Sequence, residues 1–147
     1  MDVREINKRV IAQYRAGAEI EGMHRDRLLL LTTTGRRSGA PHTTPMMFHR
    51  DDDRVLVIAS NQGAPQHPEW YLNLATNPAV TVELGDETYS ATAEPLRGEA
   101  YNRVWADIKT LYPFFADHEK QAGRTIPVVM LDPGQKHAGM TRDSTPG

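Results

Sequence analysis

The sequence predicts an α+β, mainly β domain in which an antiparallel barrel is flanked by helices. About six strand-like segments follow one another, most of them joined by short polar turns, and such hairpin connections imply antiparallel pairing. A regular alternation of strands with helices is absent, and so are the GxGxxG and GxxxxGK[ST] motifs of nucleotide-binding α/β folds. Buried antiparallel strands in a small domain close most simply into a barrel.

Each element has its own signal in the sequence. The first helix carries an apolar stripe with helical spacing and should end near Gly17. Its stripe consists of Val3, Ile6, Val10 and Tyr14. A second helix is predicted over 69–76, with Pro68 in its first turn, and two more helical segments over 99–111 and 114–122. The predicted strands span residues 28–34, 43–50, 55–60, 79–84, 88–96 and 126–131.

The 147 residues suit one domain. We expect a helix and connector over 1–27, the barrel over 28–132 and a frayed polar tail over 133–147. The formal charge of -2 gives no general attraction to nucleic acid. The lack of cysteine excludes disulfides, thiolate nucleophiles and Cys-ligated metals. No signal peptide or membrane-spanning apolar run is visible, which predicts a cytoplasmic protein.

The stretch LLLLTTTGRRSGAPHTTP delivers two arginines into a turn between Gly35 and Gly39. Backbone N–H groups in a glycine-containing turn can form an anion nest, and the guanidinium groups of Arg36 and Arg37 match phosphate or carboxylate. Ser38 adds a hydroxyl group. An ordinary solvated β-turn explains the same residues. Both interpretations stay open, and the repeated arginine tilts the balance toward a ligand.

Two further segments concentrate aromatic side chains. In ASNQGAPQHPEWYLNL, Trp70 and Tyr71 follow a loop that opens a helix, and a helix N-terminus favours anions. In LYPFFADHEK, Tyr112, Phe115 and His118 crowd one short segment. Core packing explains both groups, and it is the favoured interpretation for Trp70 and Tyr71. The alternative is that these rings cover a planar ligand.

Motifs for other chemistries are missing or have a simpler explanation. His42 and His49 are an odd number of residues apart, so on one strand they point to opposite faces and form no metal pair. The acidic run at 51–53 suits a hairpin turn better than a cation site. HExxH and GxSxG are absent. We therefore expect no metal and no hydrolytic triad.

Taken in order and at their spacing, these segments resemble the deazaflavin (coenzyme F420)-dependent nitroreductase and F420H2-dependent quinone reductase family. The resemblance covers the chain from about Leu28 to Asp132 and rests on LLLLTTTGRRSG, VIAS, HPEWYLNLATNP and TLYP…GRTIPVV. It implies a split β-barrel similar to that of the FMN-binding pyridoxine phosphate oxidases. It also implies coenzyme F420 as the cofactor.

The resemblance implies cofactor-binding residues in several segments. The basic turn of Arg36, Arg37 and Ser38 would hold the phosphate and oligoglutamate tail. The next strand would run beside the cofactor with His42, Thr44, Pro45, Met46 and Met47. Contacts with the deazaflavin ring are implied for Ile58, Ala59, Ser60 and Asn61. The remaining implied contacts are Trp70, Tyr71, Leu72 and Asn73.

The implied reaction is hydride transfer from reduced F420 to a planar, electron-poor acceptor, such as a quinone or a conjugated enone or lactone, with the protein orienting the cofactor. The expected substrate-binding wall is Tyr112, Phe115 and His118. The expected catalytic residues, which supply a proton or stabilise oxyanion charge, are Ser60, Tyr112 and His118. Phe115 and His118 stand where the best-studied family pattern has tyrosines, and Asn61 where it has a lysine. We therefore expect poor reduction of nitroaromatic compounds.

Three rival interpretations stay open. A split-barrel oxidoreductase that binds FMN would share the fold, because fold alone does not fix function. A non-catalytic deazaflavin carrier would bind the cofactor without turnover, and a structural interaction domain would bind no cofactor. The expected partner is a small-molecule substrate, without nucleic acid and without an integral membrane span. Peripheral membrane contact and membrane association stay open, and a monomer or weak homodimer is expected.

Overall fold

A computed structural model of the chain describes residues 3–17 and 25–134. The helices of this part are α1 (Val3–Arg15), α2 (Glu69–Thr76), α3 (Gly98–Leu111) and α4 (Phe114–Ala122). Its strands are β1 (Leu28–Thr34), β2 (Pro41–Asp51), β3 (Arg54–Ile58), β4 (Ala79–Leu84), β5 (Glu87–Pro95) and β6 (Val128–Asp132). Single turns of 3-10 helix lie at Arg25–Arg27 and Asn61–Gly63.

The strands close into one barrel in the order β1-β2-β3-β6-β5-β4, and every neighbouring pair is antiparallel. The predicted α+β class with an antiparallel barrel and flanking helices is therefore confirmed. Of the five connections between successive strands, three are hairpins, and a fourth, from β3 to β4, contains α2. The exception is β6, which returns after α3 and α4 to fill the gap between β3 and β5.

Strand alternation divides the apolar residues between the inside and the outside of the barrel. The interior contains Leu29, Leu31, Val55, Val57, Val80, Val82, Val129 and Leu131. On the outside of β1, Leu28 and Leu30 pack against Val10 and Tyr14 of α1. The run of four leucines is therefore continuous because β1 is buried on both faces.

The helices α3 and α4 form a second apolar layer on the outside of β3 and β6. This layer contains Leu56, Val104, Trp105, Ile108, Phe115, Ile126 and Val128. The helix α2 instead covers the barrel interior, where Leu74 is buried and Trp70 and Tyr71 pack beside it. The barrel is thus covered by α1 on one side and by α3 and α4 on another.

The helix α1 is fixed to the barrel by polar contacts as well as by packing. The buried Tyr14 hydroxyl donates to the Leu28 carbonyl oxygen (3.0 Å) and accepts from the Gly85 N–H (2.7 Å). Arg15 forms an ion pair with Glu83 on β4 (2.7 Å). Because Tyr14 satisfies backbone groups of two separate segments, the polar face of α1 has a defined orientation toward the barrel.

Several predicted boundaries differ from the observed ones. The strand β2 begins at Pro41 because Thr34 and Thr33 pair with Pro41 and His42. Pro68 precedes α2 in an extended conformation (φ -67°, ψ 154°) and does not belong to its first turn. The strand β3 ends at Ile58 rather than residue 60, because Ser60 has right-handed helical angles (φ -78°, ψ -28°) and caps the helical turn that follows.

The strand β6 begins at Val128 and not at residue 126, because Pro127 has no N–H to donate to a ladder. The predicted tail falls on residues 133–147, of which 135–147 lie outside the described part, as do residues 18–24 of the predicted connector. Within residues 3–17 and 25–134, no helix is long and apolar enough to cross a bilayer.

Candidate active site

The turn between β1 and β2 is tightly closed by its own backbone. The Gly35 N–H donates to the Ala40 carbonyl oxygen (2.8 Å), and the Gly39 N–H donates back to the Gly35 carbonyl oxygen (2.8 Å). Gly39 has a φ of +75°, which favours glycine. A Cβ on Gly35 would lie 2.7 Å from both His42 Nε2 and Ser38 Oγ. Glycine at residue 35 is therefore required for this close approach of backbone, imidazole and hydroxyl.

The two arginines of the turn have different environments. Arg36 Nη1 donates to Asn73 Oδ1 (2.9 Å) and forms an ion pair with Glu69 Oε1 (2.9 Å), both on α2. Asn73 is buried and its Nδ2 donates to Thr33 Oγ1 (3.3 Å). Arg36 therefore fastens the turn to α2. Arg37 is exposed and makes no ion pair with any residue in the described part.

A cavity of about 590 Å³ lies between the turn, the start of β2, α1 and α2. The predicted cofactor-binding residues that line it are Arg36, Arg37, Ser38, His42, Thr44, Trp70 and Asn73. The turn and the N-terminal part of α2 were predicted from the same resemblance but from separate segments of the sequence. The fold brings both segments to one cavity wall, where Arg36 donates hydrogen bonds to Asn73 Oδ1.

The opposite wall of the cavity is a polar face of α1, which the sequence analysis did not single out. Arg4, Asn7, Lys8 and Ile11 line it at the spacing of one helical face. No ion pair joins Arg4 or Lys8 to another residue of the described chain. Among the residues that the structure describes, the cavity wall thus carries four cationic side chains, from α1 and the turn, and the carboxylate of Glu69. The helical spacing of Arg4, Lys8 and Ile11 in the sequence was the signal that could have identified this face of α1.

The predicted residues of β2 divide between two faces. Thr44 and Met46 pair with Leu31 and Leu29 and so share the inward face of the barrel. Pro45 and Met47 point outward, and Met47 packs against the cluster of α1 and β1. The outward face of β2 runs from the cavity toward the end of β3, and residues on it can contact a ligand that leaves the cavity in that direction.

The loop after β3 has an unusual backbone. Ala59 and Ser60 are buried, and Asn61 and Gln62 have φ values of 52° and 56°. A non-glycine residue in this region costs about 1–3 kcal/mol and persists only where surrounding contacts fix it. Asn61 Nδ2 donates to the Gln66 carbonyl oxygen (3.0 Å). The pairing of β2 with β3 ends at Phe48 and Val57, and Ser60 follows beyond the end of β3 in a right-handed helical conformation (φ -78°, ψ -28°).

His67, at the end of this loop, is held by two neighbours. Its ring lies 4.7 Å from the Tyr71 ring, and its Nδ1 accepts from Arg124 Nη1 (3.2 Å). Burial lowers the pKa of His67, and the charge of Arg124 lowers this pKa further. Tyr71 therefore faces away from the cavity toward His67. Leu72, also in α2, lies outside the cavity wall.

The predicted acceptor wall lies on the outer helices and not in the cavity. Phe115 is 5% exposed and packs among Trp105, Tyr112 and Ile108, so for this side chain core packing is observed. Tyr112 is half-buried, and its hydroxyl lies 3.5 Å from His49 Nδ1. His49 is thus a neighbour of this wall that the sequence analysis did not assign to it.

His118 is the member of this wall with an unsatisfied group. Its Nδ1 is buried and has no hydrogen-bond partner in the described structure. Its ring contacts Phe114 and Phe115 at centroid distances of 5.5 and 5.7 Å. The helix α4 also approaches the loop after β3, because a Cβ on Gly63 would lie 3.3 Å from His118 Cα. His118 is therefore close to the segment that contains Ser60.

Comparison with known proteins places the chain in a family. The sequence pattern of the F420H(2)-dependent quinone reductase family matches residues 3–133. The chain belongs to this family. An F420H(2)-dependent quinone reductase of Mycobacterium tuberculosis is 36% identical over 106 residues, which cover 70% of this chain and 71% of the relative. The family predicted from the sequence is therefore confirmed.

Two solved structures extend this comparison. The structure of an F420-H2 dependent reductase (FDR-A) is 34% identical, has a TM-score of 0.65, and the match covers 72% of this chain and 94% of that one. A domain-swapped dimer is 33% identical with a TM-score of 0.66, and the match covers 88% of this chain and 96% of that one. As a family member, this chain is an F420-dependent oxidoreductase with F420 as its cofactor.

Proposed function

We propose that the cavity between the glycine turn and α1 binds the acidic tail of coenzyme F420, and that the chain reduces quinones with F420H2. One observation carries the proposal. Arg4, Lys8 and Arg37 surround the cavity without an ion pair to any described residue, on a protein whose formal charge is -2. Cations left unpaired and gathered in a concave site favour a polyanionic ligand.

The residues at the site fit such a tail. A Cβ at Gly35 would displace the His42 and Ser38 side chains, and Ser38 Oγ orders the turn by accepting from the Ala40 N–H (3.1 Å). Arg37 adds a planar guanidinium that can pair bidentately with phosphate. Lys8 and Arg4 lie across the cavity and can meet carboxylates farther along the tail. Arg36 holds the wall in place through α2.

We assign the ring of the cofactor to the outward face of β2 and the loop after β3. Pro45 and Met47 are half-buried apolar side chains of that face, Met47 with one side against α1, and Ser60 and Asn61 begin the loop after β3. When bound, reduced F420 supplies a hydride to the acceptor. The chain's part is to orient both partners, to exclude water and to manage one proton.

The candidates for the proton are Ser60, Tyr112 and His118. The Tyr112 hydroxyl has His49 Nδ1 nearby, so a proton can be replaced through that contact. His118 has a ring nitrogen that no described group satisfies, and it lies close to the loop that contains Ser60. These side chains can donate to an acceptor oxygen as negative charge develops there.

For the acceptor we propose a quinone, with conjugated enones and lactones as further substrates and nitroaromatic compounds as poor ones. The names of the relatives in Mycobacterium support the quinone. Phe115 offers no hydroxyl and is buried in the outer layer, so it cannot hydrogen-bond a nitro group. We also propose a monomer or a weak homodimer in the cytoplasm. The domain-swapped relative shows that a similar chain can dimerise.

The deciding experiment mixes purified protein with reduced F420 and menadione and follows the return of the oxidised cofactor's absorbance against a protein-free control. We expect protein-dependent oxidation. Cofactor binding without oxidation across a panel of quinones would indicate a carrier instead. A yellow protein that binds FMN and not F420 would support the FMN-dependent alternative. A protein that neither binds F420 nor oxidises F420H2 would refute the proposed function.

A further inference from the structure

Arg124 is part of the GRTIPVV segment and has no role in the proposed function above. It directly follows Gly123, which ends α4 in the left-handed conformation (φ 64°) and donates its N–H to the Glu119 carbonyl oxygen (3.2 Å). This cap turns the chain back toward the barrel. The Arg124 side chain consequently reaches the loop after β3, about 60 residues earlier in the sequence.

The guanidinium group joins both ends of that loop. Nη2 donates to the carbonyl oxygens of Ala59 (3.3 Å) and Ser60 (3.1 Å) at the start and of Gln66 (3.1 Å) at the end. Nε donates to the carbonyl oxygen of Ala64 (3.2 Å). One planar cation thus accounts for four backbone acceptors of the loop through Nε and Nη2, while Nη1 donates to His67 Nδ1 (3.2 Å) and to the Thr125 carbonyl oxygen (3.3 Å).

Between the two ends lies the strained part of the loop. Ser60 is in the right-handed region (φ -78°, ψ -28°), and Asn61, Gln62 and Gly63 follow with positive φ. A right-handed residue followed by a left-handed one turns successive N–H groups toward one concave side. Such backbone persists only where its surroundings fix it, and here Arg124 supplies most of the side-chain hydrogen bonds to the loop's carbonyl groups.

We propose that Arg124 is a positioning residue whose guanidinium holds residues 59–66 in the shape that presents Ser60 and Asn61 to the ring of the cofactor. This inference rests on the proposed function, which assigns ring contacts to those two residues. Under this proposal the cofactor site has two parts, one for the tail and one for the ring. Arg37 and α1 bind the tail, and Arg124 acts on the ring through the loop without touching the cofactor.

The test compares two probes, F420 itself and the 8-hydroxy-5-deazaflavin nucleoside that lacks the phosphate and glutamates. Arg124→Lys keeps the charge but loses the fork. We expect it to weaken the binding of both probes by the same factor, about tenfold or more. Arg37→Ala should weaken the binding of F420 alone. Guanidinium ion should restore binding of the nucleoside to Arg124→Ala, because it can replace the missing fork.

Arg103→Lys is the matched control, because Arg103 on α3 pairs with Asp51 and Asp107 at the surface, away from the loop. It should bind both probes like the wild type. Circular dichroism confirms that each variant is folded at the assay temperature. Unchanged nucleoside binding by folded Arg124→Lys would overturn the inference. So would a loss confined to F420, since Arg124 would then belong to the tail site.

The wild-type protein gives a second test in case Arg124 variants fail to fold. The nucleoside should slow amide hydrogen exchange in residues 60–66, and unchanged exchange on saturation would overturn the inference. Failure of the proposed function is distinguishable from failure of this inference. If wild-type protein binds neither probe, the proposed function fails. If wild type binds both and Arg124→Lys is unaffected, only the positioning role fails.

Discussion

The neighbouring residues Arg36 and Arg37 have different roles in this protein. Arg36 is bonded to the buried Asn73 and to Glu69, whereas Arg37 is exposed and unpaired within the described residues. The segment GRRSG predicts the same role for both arginines, because nothing in it distinguishes them. The distinguishing partner is 37 residues away on α2, and only the closed barrel brings it close. Spacing along the chain does not reveal such contacts.

This difference predicts opposite effects of two alanine variants. Arg36→Ala should lower the free energy of unfolding by about 1–3 kcal/mol, because it removes charged hydrogen bonds from a buried amide. Arg37→Ala should leave stability nearly unchanged and weaken F420 binding, with a smaller dependence on salt. Urea unfolding and quenching of Trp70, which lines the cavity, measure the two effects. Equal loss of stability in both variants would contradict the assignment.

Among the elements, α1 was predicted well as a helix and incompletely as a functional surface. Its apolar stripe gave the correct helix, and Val10 and Tyr14 of that stripe are buried against β1. The adjacent face, with Arg4, Lys8 and Ile11, has equally regular spacing. The sequence did not show that this face would meet the glycine turn, because that depends on the position of α1 over the barrel. The same limit applies to β6, whose place between β3 and β5 no local pattern indicates.

The role of the cationic face of α1 in F420 binding can be tested with two neighbouring residues of this helix. Lys8 lines the cavity, and its neighbour Arg9 is exposed and outside it. Lys8→Ala should raise the dissociation constant of F420 and reduce its increase with ionic strength. Arg9→Ala should leave both quantities as in the wild type, although it removes the same charge from the same helix. Fluorescence titrations at several salt concentrations make the comparison. Equal effects would mean that net charge, and not the face of α1, governs binding.

For the whole molecule, the sequence established the barrel and its helices but not the contacts that join distant elements. Asp51 at the end of β2 is an example. The acidic run at 51–53 predicts a hairpin turn, which is observed. No local pattern indicates that the Asp51 carboxylate also binds Arg103 on α3 (3.2 Å) in addition to Arg54. This carboxylate therefore connects the hairpin to the outer helical layer.

The contacts of Asp51 with two arginines predict how the free energy of unfolding depends on pH. Hydrogen bonds from Arg54, and then from Arg103, hold the pKa of Asp51 below its ordinary value. The unfolded chain, with its higher pKa, binds a proton first as the pH falls, so this contribution is complete above about pH 5 and is lost progressively as the pH falls through the lower pKa of the folded state. At pH 7, Asp51→Asn should cost on the order of 1 kcal/mol of unfolding free energy. The difference between wild type and variant should shrink as the pH falls from 5 to about 2, which urea unfolding at each pH measures. Asp52→Asn is the control, because Asp52 lies in the same turn and is exposed. A wild-type advantage that persists undiminished at the lowest pH would show that the Asp51 side chain stabilises the fold by its shape and not by its charge.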